Sequence, residues 1–214
     1  LMPVRPELLF KYETQVPMKI ALVSPHTLPA CRGNSLTVQR LYDGLSNHGH
    51  NVRLFNSTTN RTEELTDFAP DVLHSLHALQ PHAWLTQSRM IGNRPWVVTL
   101  TGTDYNSEVD AKALHSLASA RALIVFHAEA AARVQKRFSE LADRVHIIPQ
   151  AVQIPGTIHA SREDVRRPWD IDSDELVFFM AAGLRPVKNI GYALEAFVQF
   201  KQKHPQARLL LAGP

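Results

Sequence analysis

Lys19–Ser24 reads KIALVS, Pro25–Asn34 reads PHTLPACRGN, and Ser35–His48 reads SLTVQRLYDGLSNH. The first stretch is a short apolar run, the pattern of a strand covered on both faces. The second is a loop rich in Pro, Gly and Asn. The third sets Val38, Leu41 and Leu45 on one helical face. Asn34 or Ser35 can cap its start and Gly49 can end it. A strand, a loop and an amphipathic helix in that order open a parallel α/β arrangement.

The alternation continues outward. Asn51–Phe55, Asp71–His77, Trp96–Thr101, Ala122–Phe126 and Val145–Ile148 read as further strands. Pro81–Met90, Glu108–Ala118 and Glu129–Leu141 read as the helices between them. Strands separated by helices predict a doubly wound parallel sheet with helices on both faces. Residues 18–154 form this domain and residues 1–17 an extension, one without the look of a secretion signal. Residues 155–173 are polar and charged and read as a linker. Residues 174–214 start a second α/β domain, with strands at Leu176–Ala182 and Ala207–Ala212 around a helix at Asn189–Lys203. One βαβ unit leaves unpaired sheet edges. The expectation is that this second domain continues past Pro214.

The 214 residues are 44% hydrophobic and 20% charged, the balance of a globular protein rather than a disordered one. A net charge of +3 with no basic run argues against a nucleic-acid partner. The single cysteine, Cys31, permits neither a disulfide framework nor a cysteine zinc site and fits a cytoplasmic location. No apolar run reaches membrane-spanning length. The one hint of membrane association is the basic face of Arg133, Lys136 and Arg137, for which a solvated helix face is the simpler reading.

In doubly wound sheets ligands bind beyond the carboxyl ends of the strands, so the residues there are the candidates. Arg32-Gly33-Asn34-Ser35 joins the first strand to its helix. Glycine lets a ligand approach, and the helix N-terminus offers free N–H groups to a phosphate or sugar hydroxyl. The alternative is a capped turn. Thr101-Gly102-Thr103-Asp104 clusters hydroxyls and a carboxylate after the fourth strand; Asp104 can act as a base or hold hydroxyls, or merely cap a helix. His74 and His77 lie on the third strand, His77 nearer its carboxyl end. A hydrogen-bonded structural role is the simpler reading of either, and no metal-ligand spacing accompanies them. Gly183-Leu184-Arg185-Pro186-Val187-Lys188-Asn189 follows the first strand of the second unit. Arg185 and Lys188, three apart beside a helix start, can hold a diphosphate. G-x-G-x-x-G, the P-loop and the G-x-S-x-G elbow are all absent.

MKIALVSP, the Gly-Asn-Ser loop, DVLHSLHA, PWVVTLTGTD, IIPQAVQIP and FFMAAGLRPVKNIGYALEAF, in this order, resemble a GT-B glycosyltransferase of retaining family 4 from Met18 onward. The nearest subgroup includes the glycosyltransferase 1 domain-containing proteins and the selenosugar synthases. The resemblance implies two Rossmann-like domains, the first shaping the acceptor side and the second binding a nucleotide-sugar, often a UDP-sugar. It implies transfer with retention, no metal and no cofactor. Arg185 and Lys188 then meet the donor diphosphate, and Gly33 and Asn34 the donor phosphates and the acceptor. Many members carry a histidine just after the fourth strand. Here Thr101, Gly102 and Thr103 stand in that region and Asp104 follows, so the resemblance implies that Thr103 or Asp104 takes the histidine's part; with His77, placed by its strand end, they are the catalytic candidates. The family's paired glutamates would lie past Pro214, so the 214-residue chain is expected to be inactive alone. Competing expectations are a transferase with a small non-sugar acceptor and a non-catalytic α/β binding module. Ser24-Pro25-His26 after the first strand lacks the carboxylates of a phosphorylated receiver.

Overall fold

A computed structural model describes residues 16–30, 32–106, 117–150 and 160–213. The chain divides into two compact units, Leu1–Ala151 and Val152–Pro214. Cys31 and most of the extension expected over 1–17 lie outside the described residues, as does the helix expected over Glu108–Ala118 apart from its last residues.

The first unit is built on six parallel strands: β1 (Lys19–Ser24), β2 (Asn51–Asn56), β3 (Val72–Leu76), β4 (Trp96–Thr99), β5 (Ala122–Val125) and β6 (Val145–Ile147), in the spatial order β2-β1-β3-β4-β5-β6. Its helices are α1 (Gly33–Asn47), α2 (Thr62–Phe68), α3 (His82–Gln87), α4 (Thr103–Asn106) and α5 (Ala128–Arg137). This is the doubly wound α/β architecture expected from the alternating pattern. The chain leaves β1 toward β2 and crosses back to β3 on the other side. The carboxyl ends of β1 and β3 therefore flank the switch point where such sheets bind ligands.

Side-chain alternation sorts the core into two layers. Ala21, Val23, Leu73, Trp96, Val98, Leu123 and Val125 point to the face where Leu65, Leu85, Ala130 and Val134 pack from α2, α3 and α5. Phe55 sits against Phe68 and Trp84 with ring centroids 5.9 and 6.0 Å apart. The two indole N–H groups are satisfied, Trp84 by Asn60 O at 2.8 Å and Trp96 by Ser75 Oγ at 3.0 Å. On the other face, Ile20, Leu22 and Leu76 meet Val38, Leu41 and Leu45 of α1. Each fully buried aliphatic or Phe side chain contributes roughly 1.5–3 kcal/mol. Among the described residues no helix is long and apolar enough to cross a membrane.

Several boundaries differ from the sequence reading. The helix α1 begins at Gly33 rather than Ser35, with Arg32 as its extended N-cap, so neither Asn34 nor Ser35 caps it. The ladder starts early because Leu36 N–H already reaches Arg32 O at 3.2 Å. Its end is as expected: Gly49 takes φ +86° and donates to Ser46 O. The helix α5 stops at Arg137, and Ser139–Arg144 winds into a 3₁₀ stretch instead of continuing to Leu141 as one helix.

The second unit contains β7 (Val177–Ala181) and β8 (Arg208–Ala212), paired in parallel around α7 (Ile190–Lys203). Phe178 packs edge-on against Phe197 and Phe200 at 5.9 and 5.1 Å. Gly213 follows β8 at φ +152°, and a Cβ there would lie 2.2 Å from Ala182 O, so only glycine fits. The stretch read as a linker is partly folded. Ser161 and Asp164 form a capping box for the short helix α6 (Arg162–Arg166). Arg166 Nη1 donates to the carbonyls of Asp172, Ser173 and Glu175, and the Glu175 carboxylate accepts from Arg208 at 3.0 Å. Local capping and this arginine hub, rather than apolar periodicity, order the described residues after Ala160.

Candidate functional site

The ends of β3 and β4 are tied together by one buried cluster. His77 follows β3 with φ +76°, a left-handed backbone uncommon for a residue with a side chain. Its N–H still donates to Thr99 O at 3.0 Å, so the chain turns while attached to the sheet. The ring folds back, and Nδ1 accepts from the N–H groups of Leu79 and Gln80 at 3.1 and 3.3 Å. Two donors at Nδ1 place the ring proton on Nε2. Nε2 lies 2.9 Å from Asp104 Oδ1 and 3.0 Å from Thr103 Oγ1.

Asp104 is fully buried. Its Oδ2 accepts from the N–H groups of Ala78 and Thr101 at 3.2 and 3.1 Å. The hydroxyls of Thr101 and Thr103 each lie 3.4 Å from Oδ1. A carboxylate out of water needs such compensation, and here donors come from both loops. The three catalytic candidates, His77, Thr103 and Asp104, thus fall in one hydrogen-bonded group. Within it His77 donates through Nε2 and its other lone pair is occupied, so the ring as placed is not a free base. Thr103 is the exposed member. Gly102 holds φ +103°, which lets the chain pass from β4 into α4 so that Asp104 swings inward.

The α1 turn lies across the switch point in the topology. No side chain caps α1, and its first turn holds no acidic residue. The amides of Gly33 and Asn34 are among the four that a helix start leaves without intrahelical partners. A Cβ on Gly33 would meet nothing within 4 Å, so space is open there. Ser35 Oγ is buried with no hydrogen-bond partner among the described residues. The sequence reading placed Ser35 in the loop as a cap; its orphaned hydroxyl depends on helix phase and was not legible. Nearby in the chain, His26 is held below the ordinary histidine range by burial and by the charge of Arg32.

In the second unit, Pro186–Lys188 forms a 3₁₀ turn between β7 and α7. Asn189 takes φ +48° to enter α7. Arg185 and Lys188 are exposed, and neither forms an ion pair with a described residue. Arg185 borders a hollow of about 450 Å³ with Leu184, Asn189 and Gly191. The structure therefore brings His77, Thr103 and Asp104 together in the first unit, keeps Gly33 and Asn34 on α1, and puts Arg185 and Lys188 on one turn of the second.

The other histidine of β3, His74, is buried, with Nε2 2.8 Å from Thr99 Oγ1. Burial lowers its pKa to about 4. Among the described residues no cluster of three or more His, Cys, Asp or Glu side chains could hold a metal ion. On α5, Arg133 pairs with Glu129 at 2.6 Å, and Arg137 donates to Tyr105 O at 2.8 Å. Two of the three basic residues on that face are thus engaged within the protein. No known protein-family profile matches the chain.

Proposed function

We propose that this protein is a retaining glycosyltransferase that moves a sugar from a nucleotide-sugar, a UDP-sugar first, to an acceptor held by the first unit. The observation that carries the reading is the β7–α7 turn, where Arg185 and Lys188 stand exposed, without an ion-pair partner among the described residues, just beyond the carboxyl end of a parallel strand. Two cations in that position suit a diphosphate, whose charge grows as the sugar–phosphate bond breaks; fixed positive groups stabilise that change. In the first unit, Gly33 and Asn34 offer helix-start amides to phosphate or hydroxyl oxygens. The role assigned to His77 and Asp104 is to fix the Thr103 hydroxyl and the Gly102 backbone at the sheet edge, where an acceptor hydroxyl would lie. The one cysteine fits a cytoplasmic setting.

The test is UDP release by the intact gene product across UDP-, GDP- and ADP-sugar donors. Release that drops at least about tenfold in Arg185→Ala and Lys188→Ala is expected, since each charge-assisted contact is worth roughly 1.5–3 kcal/mol. No release with any donor, together with no donor binding by calorimetry, would leave a non-catalytic α/β module.

A further inference from the structure

The first turn of α1 carries the Gly33 and Asn34 amides, and two hydrogen bonds in series tie it to the last residues of the first unit. The Thr37 hydroxyl donates to Gly33 O at 2.9 Å. The Gln150 side-chain amide donates to that same hydroxyl, across 113 residues of sequence. Gln150 follows β6, whose attachment to β5 runs on to the Ile148 N–H, bonded to Val125 O at 2.9 Å. Thr37 is buried, and the second unit begins at Val152.

The direction of these bonds follows from what each group can give. The amide nitrogen of a glutamine side chain only donates, and a hydroxyl has a single proton. With Gln150 on one of its lone pairs, Thr37 turns its proton to Gly33 O. A helical threonine divides between two rotamers, and its hydroxyl can bond back to the carbonyl four residues before it. The contact with Gln150 holds Thr37 in the back-bonded form. Gly33 O is also the ladder acceptor for the Thr37 N–H, so both of its lone pairs are used. The peptide unit is planar, and the Gly33 carbonyl and the Asn34 N–H share one plane and point opposite ways. Holding the carbonyl along the helix therefore aims the Asn34 N–H out of its start, where the helix gives it no partner. No side chain caps α1, so this pair of bonds, rather than a cap, orients the turn.

We infer that Gln150 is a positioning residue for this turn: through Thr37 it fixes the Gly33–Asn34 peptide, and with it the amide offered to the donor phosphate. The ligand rests on the glycosyltransferase reading. The relay of bonds does not, and the two are tested apart.

Nuclear magnetic resonance of the intact protein tests the relay without any ligand. Gln150→Leu and Thr37→Val should each displace the Gly33 carbonyl and Asn34 amide resonances and leave those of the last turn of α1 in place. Gln150→Leu should add no displacement on top of Thr37→Val, and Thr37→Ser, which keeps the hydroxyl, should stay near the unaltered protein. Calorimetric titration with UDP tests the purpose. Affinity should fall about fivefold in Gln150→Leu and in Thr37→Val, the worth of one ordinary hydrogen bond, and should hold in Thr37→Ser. Unmoved Gly33 and Asn34 resonances in Gln150→Leu, or a further displacement when it is added to Thr37→Val, would overturn the relay. Displaced resonances with undiminished UDP affinity would reduce the bonds to a structural tie and overturn the positioning role. No UDP binding by the unaltered protein, with the resonances displaced as expected, would sink the transferase reading and leave the relay standing.

Discussion

The turn after β4 and the turn after β7 both follow parallel strands and both carry small and charged residues, yet they are held in opposite ways. In the first, Asp104 is fully buried and gathers donors from two loops, with His77 locked against it. In the second, Arg185 and Lys188 are exposed, their backbone N–H groups are bonded within the turn, and neither side chain has an ion-pair partner among the described residues. In the first turn the polar groups are spent on one another. The second keeps its charges available. One turn keeps its shape and the other keeps its charges, and substitutions should separate the two properties.

The largest effect is expected at the buried end. Asp104→Ala leaves two amides and the His77 N–H without their acceptor and should cost about 3 kcal/mol of stability, read from urea denaturation. A loss below about 1 kcal/mol would mean that the cluster is not the fastener described here.

Acid should act next, through His74. Its folded pKa of about 4 lies below the ordinary 6.5. Between these values the unfolded chain binds a proton that the folded chain refuses. Stability is therefore undiminished above pH 6.5 and falls as pH drops toward 4, by up to about 3 kcal/mol in all. Denaturation midpoints at pH 7, 5.5 and 4.5 should show the fall. His74→Asn should flatten it, and an equal slope in that variant would assign the effect to other groups.

The smallest effect belongs to the exposed turn. Arg185→Ala and Lys188→Ala should shift stability by no more than about 0.5 kcal/mol, whatever they do to donor turnover. A larger shift in the thermal melt would show that the pair braces the second unit, and the contrast between the turns would collapse.

The parts legible in the sequence are those with a physical period. KIALVS and its helix stand out because an apolar run and a 3.6-residue stripe recur there. The helix α2 was missed because TEELTDF offers only Leu65 and Phe68 as apolar residues, too few to establish a period. The helix α6 was missed for the same reason; its ordering comes from Ser161, Asp164 and Arg166 making local bonds. At the site, residue types and neighbourhood were readable, since strand ends collect ligands. The direction of the His77 ring was not. It depends on a left-handed φ and on the Asp104 carboxylate, 27 residues away in the chain (104 − 77), and neither leaves a local pattern. The orphaned Ser35 hydroxyl is hidden similarly, in where α1 begins.

The strand order has a consequence in time. The neighbouring strands β1 and β3 are joined by their parallel ladder and by a bond from the Lys19 amide to the carboxylate of Asp71, just before β3. By the time the ribosome has delivered Leu76, three adjacent strands can already assemble. β4, β5 and β6 then add one by one to the same side, in the order in which they emerge. At roughly 5–20 residues per second, Gln150 follows Leu76 by on the order of ten seconds. For that interval the growing edge is always the newest strand, and a nascent chain with an open edge is what a chaperone would have to shield.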